Sequence, residues 1–148
     1  MRRVRIPFVH SNCDIPVVPC TLSNGATGLA IVDTGSDVSL IDKQFILNNK
    51  KEFKVEMSED KANFSGLTTT QEVPVITAET QVRFTKNSKR FRLKADVFPL
   101  DFAQAMSEAY DICPDILLGS DILKQLNAEI SYEKRELVLH YDDLSCKQ

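Results

Sequence analysis

The sequence predicts an all-β, barrel-like domain, and three observations lead there. Short apolar runs that alternate with polar residues recur along the chain. Turn residues punctuate them, most clearly Asn24-Gly25 between two apolar runs. Helical patterning is confined to a few brief stretches.

In order, Val4, Ile6 and Phe8 alternate with Arg5 and Pro7, which predicts a first strand, and Pro7 makes it an edge strand. Val17 to Leu22 and Ala26 to Val32 form a hairpin about Ser23-Asn24-Gly25. A short strand follows over Val38 to Ile41, and Asp42 caps a helical turn over Lys43 to Leu47. Phe53, Val55 and Met57 alternate with charge and predict another strand. Ser58 to Glu72 is polar and reads as a mobile hairpin tip or loop. Val73 and Val75, then Val82 and Phe84, resume the extended pattern, and Asn87-Ser88 reads as a turn. Phe91, Leu93, Ala95 and Val97 form the next strand, and Asp101 caps a helix with Phe102, Met106, Ala109 and Tyr110 on its apolar face. Ile116-Leu117-Leu118 is apolar throughout, as a strand buried on both faces must be. A helix with Ile122, Leu123 and Leu126 on one face comes next. A strand holding Ile130 and Tyr132, a turn at Glu133-Lys134 and a last strand over Leu137 to Leu139 complete the chain.

At 148 residues, 43% hydrophobic and 26% charged, the chain is long enough for one domain with a sizeable core. A net charge of −3 gives no electrostatic case for nucleic acid or an anionic membrane. The basic residues from Lys86 to Lys94 read as the wet face of a strand. No apolar run approaches the roughly 20 residues of a transmembrane helix, and the N-terminus makes a poor signal peptide. Cys13, Cys20, Cys113 and Cys146 show no zinc spacing. Free thiols in an intracellular, cytoplasmic setting are expected, with a Cys13–Cys20 bridge left open.

The chemistry concentrates in Ile31-Val32-Asp33-Thr34-Gly35-Ser36, within the run from Leu29 to Ile41. An apolar strand delivers a carboxylate to its end. A buried charge is costly unless it is paired or used. Thr34 and Ser36 can donate hydrogen bonds, and Gly35 permits close approach of a backbone or ligand. Other chemistries fare badly. The two histidines, His10 and His140, lie near no nucleophile elbow and read as surface or edge residues. Metal-ligand spacing and a Gly-rich phosphate loop are both missing, so neither metal nor organic cofactor is expected. Asp142-Asp143 reads as a solvated tail.

Asp33-Thr34-Gly35 is the Asp-Thr-Gly pattern of aspartic proteases. The later Ile116-Leu117-Leu118-Gly119-Ser120-Asp121-Ile122-Leu123 supplies an apolar-apolar-Gly that opens a helix. In this order and spacing, from Val17 to His140, the chain resembles the retropepsin-like aspartic proteases of retroviruses and gypsy-type retrotransposons. The resemblance implies a closed, barrel-like acid-protease fold as a single domain over 1–148, with its core at about 4–141 and a flap at about 60–74. It implies an aspartic endopeptidase in which Asp33 activates water. That chemistry needs two carboxylates sharing one proton, because like charges in contact cannot both ionise cheaply. The chain has one Asp-Thr-Gly, so the implied active form is a homodimer acting on a polypeptide, with Asp33 contributed by each copy.

The same resemblance implies that Thr34 bonds across the dimer and that Gly35 lies against substrate backbone. Asp37 would hold peptide backbone, and Ser65 and Gly66 would form the mobile flap tip. Leu118, Gly119 and Asp121 are the second motif, Asp121 matching the retrotransposon variant. Retroviral enzymes place an arginine after the second-motif glycine; Ser120 stands there, so support for Asp37 must come from elsewhere. Ser36, where several retroviral enzymes have alanine, is expected to put a hydroxyl near the carboxylate and shift the optimum toward acid. The dimer edge is expected at Val4 to Phe8 or at Leu137 to Leu139, both apolar. A catalytically silent dimerisation or peptide-binding scaffold is the alternative on the same fold.

Overall fold

A computed structural model of the chain describes residues 2–9, 15–65, 70–86, 88–98, 104, 107–108 and 112–141. The strands are β1 (Arg2–Pro7), β2 (Val17–Leu22), β3 (Thr27–Val32), β4 (Leu40–Asp42), β5 (Lys54–Ser65), β6 (Thr70–Arg83), β7 (Phe91–Phe98), β8 (Ile116–Leu118), β9 (Glu129–Ser131) and β10 (Glu136–Tyr141). The helices are α1 (Lys43–Asn48) and α2 (Ser120–Gln125), with a 3-10 turn at Lys50–Glu52. Gln104, Ser107 and Glu108 are also helical; the apolar face expected around them lies outside the described residues.

One sheet runs β2-β3-β8-β4-β7-β6-β5, and β2 also pairs with β6 through Thr21↔Arg83 and Leu22↔Val82. That extra pairing closes six strands into a barrel and leaves β5 hanging on β6. The alternation seen in the sequence explains the wall: Phe91, Leu93 and Ala95 of β7 are buried while Arg92 and Lys94 face out. β8 lies between β3, which is parallel to it, and β4, which is antiparallel. Flanked on both sides, it is buried at every residue. A second sheet, β1-β10-β9, packs against the barrel, and one buried cluster joins Ile6, Leu137, Leu139 and Tyr141 to Val18, Ile41, Leu93 and Ile122. Leu40 and Leu117, with half-buried Phe98 against them, form a separate small cluster.

The expected elements recur with four corrections. The polar segment from Ser58 to Glu72, expected as a hairpin tip or loop, lies on a hairpin whose arms run further than expected: β5 and β6 pair as far as Ser65↔Thr70, with a register shift between Met57 and Lys61. Residues 66–69, the expected tip with Gly66, lie outside the described residues. The strand after the Asp33 loop starts at Leu40, and Val38 is exposed. Tyr132 lies in the β9–β10 turn and is exposed. Leu137 to Leu139 belong to no sheet edge: β10 is the middle strand, flanked by β1 and β9, and all three residues are buried. His140 sits on that strand too, half-buried, with its Nε2 2.7 Å from Glu129 Oε2.

Asp42 caps α1 as expected, accepting from Gln44 N at 3.4 Å. Cys20 is a free, buried thiol, which removes the bridge to Cys13. No helix among the described residues is long and apolar enough to cross a membrane.

Candidate active site

The parallel pairing of β3 with β8 sets Val32 opposite Leu118, so both strands end at one place. Beyond Val32 the chain leaves the core and comes back. Asp33 is half-buried, Thr34, Gly35, Asp37 and Val38 are exposed, and Ser39 and Leu40 are buried again. This loop presents the Asp33 carboxylate to solvent from an otherwise apolar strand end. Asp33 N donates to Leu118 O at 3.0 Å, which anchors the first residue of the loop on the second motif. Gly35 N donates to Asp33 Oδ1 at 3.0 Å and Ser36 N to Asp33 O at 3.2 Å, so the turn folds back on the acid.

The segment Leu118 to Asp121 holds the rest of the loop. Ser120 N donates to Ser36 O at 2.7 Å. Gly119 lies directly beneath: a Cβ there would fall 2.3 Å from Val38 O and 2.8 Å from Ser36 O. Ser39 closes the loop. Its hydroxyl donates to Asp121 Oδ1 at 2.6 Å and accepts from Gly119 N at 2.8 Å, and its own N–H donates to Asp121 Oδ2 at 3.2 Å. Ile122 N donates to Asp121 Oδ1 at 2.7 Å.

The two motifs of the sequence therefore meet, and Leu118, Gly119 and Asp121 all touch the Asp33 loop. Ser36 departs from expectation. Its hydroxyl proton goes to Val38 O at 2.7 Å, which leaves none for Asp33, so the acid shift expected from that group has no donor. Ser65 ends β5, opposite Thr70. Ser39 was not singled out in the sequence; a serine inside the apolar run Val38 to Ile41 was the available signal, since a buried hydroxyl needs partners.

Comparison with solved structures places this architecture. A retropepsin-like aspartic protease from Rickettsia conorii aligns with a TM-score of 0.53 and 16% identity, covering 93% of this chain and 90% of that one. The retroviral protease-like domain of Ddi1 from Leishmania major aligns with a TM-score of 0.50 and 16% identity, covering 88% of this chain and 92% of that one. The chain has the retropepsin-like fold. No protein-family model matches the sequence, and no curated protein matches it.

Within this retropepsin-like fold, two carboxylates near the β8 strand sit above the ordinary carboxylate range. Burial raises Asp96, and the charge of Asp121 raises it further. Burial also raises Asp115; the N–H of Leu29 opposes this at 2.9 Å and Asp42 adds to it. A raised folded value means that the fold favours the protonated acid. The contribution to stability is present below the unfolded value and is lost as pH climbs through the folded one. Asp115→Asn, which keeps an acceptor for Leu29, is therefore expected to gain on the parent as pH rises from 4 to 7. Urea midpoints across that range check it, and parallel curves for parent and variant would contradict it.

Burial and the charge of Asp115 push the Cys20 thiol up to about 12, so it stays protonated and is no nucleophile. Among the described residues no group of three or more His, Cys, Asp or Glu side chains could hold a metal ion.

Proposed function

We propose that the chain is one half of an aspartic endopeptidase, acting as a homodimer on extended peptides, with residues 1–148 forming its single domain. The observation that carries this reading is the bond from Asp33 N to Leu118 O. It joins the Asp-Thr-Gly loop to the second glycine motif at the end of two parallel strands. Asp33 of one copy would act as base on a water and Asp33 of the other as acid toward the scissile carbonyl, the two titrating as a unit. Thr34, exposed on the same loop, is the residue to bond across the two-fold, and Gly35 and Asp37 are the ones to meet substrate backbone.

The long β5–β6 hairpin, with Ser65 at the end of its first strand and Gly66 beyond, is the element that would close over substrate. Among the described residues β1 and β9 are the edges of the smaller sheet, and an open edge supports a shared sheet between copies.

Peptide cleavage from pH 3 to 7, read beside mass in solution and the Asp33→Asn variant, tests the proposal. The expected result is a dimer whose kcat falls by about 10³-fold in the variant, the scale of a lost acid–base group. A monomer with full turnover, or a variant as fast as the parent, would sink it. Dimers without turnover would leave the peptide-binding scaffold.

A further inference from the structure

Three points of the Asp33 loop are held by the second motif. The first two, Asp33 N to Leu118 O and Ser120 N to Ser36 O, are made by backbone groups that any sequence would supply. The third is made by side chains. Ser39 Oγ gives its one proton to Asp121 Oδ1 and accepts from Gly119 N, while Ser39 N reaches Asp121 Oδ2. A single buried hydroxyl thus links the end of the loop, the glycine beneath it and the first turn of α2.

Ser39 is 1% exposed, so water does not offer its partners an alternative. Asp121 accepts from Ser39 N, Ser39 Oγ and Ile122 N, a donor set that fixes the orientation of its carboxylate. Between this knot and the Asp33 carboxylate lie only five residues, 34 to 38, of which Ser36 alone is tied to the second motif. Releasing the knot frees the returning limb of the loop, and a displacement of about 1 Å at a reacting group costs on the order of 10²-fold in rate.

We propose that Ser39 and Asp121 are positioning residues for Asp33, acting together as one clamp. They touch no substrate; they set where the loop carries its acid. The inference rests on the endopeptidase reading for its rate effect, but its structural half stands separately, and the test has an arm for each.

The variants are Ser39→Ala, Asp121→Ala, their double, and Asp121→Asn, which keeps one acceptor oxygen. The rate arm uses the quenched-fluorescence peptide that the parent cleaves best from a mixed library. Each alanine variant is expected to lower kcat by about 10–100-fold with KM within about 3-fold of the parent. The double is expected to be no worse than either single, since the two act as a unit, and Asp121→Asn to recover part of the loss. Additive losses, or losses carried by KM, would overturn the clamp.

The second arm is amide hydrogen exchange, which needs no turnover. Exchange at Gly35 to Ser39 and at Gly119 is expected to rise at least 10-fold in the alanine variants, while Leu93 and Leu137 in the core stay protected. Unchanged exchange in the loop, or an equal rise through the core, would overturn the proposal. If the parent cleaves nothing, the endopeptidase reading fails while this arm still decides whether the clamp exists.

Discussion

Gly119→Ala is expected to cost the fold roughly 3 kcal/mol, the upper part of the range for overpacking a tight interior. The reason is space and not backbone freedom, since Gly119 has φ −90 and ψ −177, an extended conformation open to any residue. Its missing Cβ would sit 2.3 Å from Val38 O, 2.6 Å from Val38 C and 2.8 Å from Ser36 O. All three are backbone atoms, so no side chain can rotate away. Either the Asp33 loop or the start of α2 must move.

If the loop moves, Ser120 N loses Ser36 O and Gly119 N loses Ser39 Oγ, two of the bonds that fix the loop on the second motif. The variant should therefore be hit twice. Its urea midpoint should fall by the amount above divided by the denaturant slope, and whatever folded fraction remains should cleave peptide poorly. An unchanged midpoint would mean that the loop and the motif are not packed as described.

That contact shows what the sequence could and could not disclose. Both motifs were visible in the chain because each is a contiguous string with a distinctive order: strand, acid, hydroxyl, glycine in one case, and apolar strand, glycine, helix in the other. That they touch was implied only by resemblance. The bond from Ser39 to Asp121 was invisible, since the partners lie 82 residues apart and a lone serine in an apolar run carries no signal of what it meets.

The hairpin arm was missed for a different reason. Strands are read from the periodicity of apolar side chains, and between Ser58 and Glu72 only Ala62 and Phe64 stand at that spacing. Its pairing is made by backbone groups, which every residue but proline supplies in full. The orientation of Ser36 was missed because a hydroxyl rotates, and its proton goes to the carbonyl of Val38, two residues on, instead of to the acid three residues earlier.

The same limit bears on the terminal strands, where an apolar run reads alike at a sheet edge and in its middle. Leu137→Asp is expected to unfold the subunit instead of parting two subunits. Leu137 is 0% exposed, stands opposite Ile6 on one side and Ile130 on the other, and belongs to the main core. Losing its burial costs about 2–3 kcal/mol. A carboxylate in its place must either stay ionised without a partner or take up a proton, and that adds several kcal/mol more on the scale of buried unpaired charges. The sum rivals the whole stability of about 5–15 kcal/mol that a domain has to lose.

Thermal melts at several protein concentrations check this: no cooperative transition is expected at any of them. A folded monomer with a parent-like melt would mean that β10 meets a partner chain and not its own core. The contrasting variant is Arg3→Glu, exposed on edge strand β1. It should leave the melt of the subunit within about 0.5 kcal/mol, as surface changes do. If β1 lies at the meeting of two copies, the dimer mass is where Arg3→Glu will show, because an edge strand can lose its partner without disturbing the core behind it.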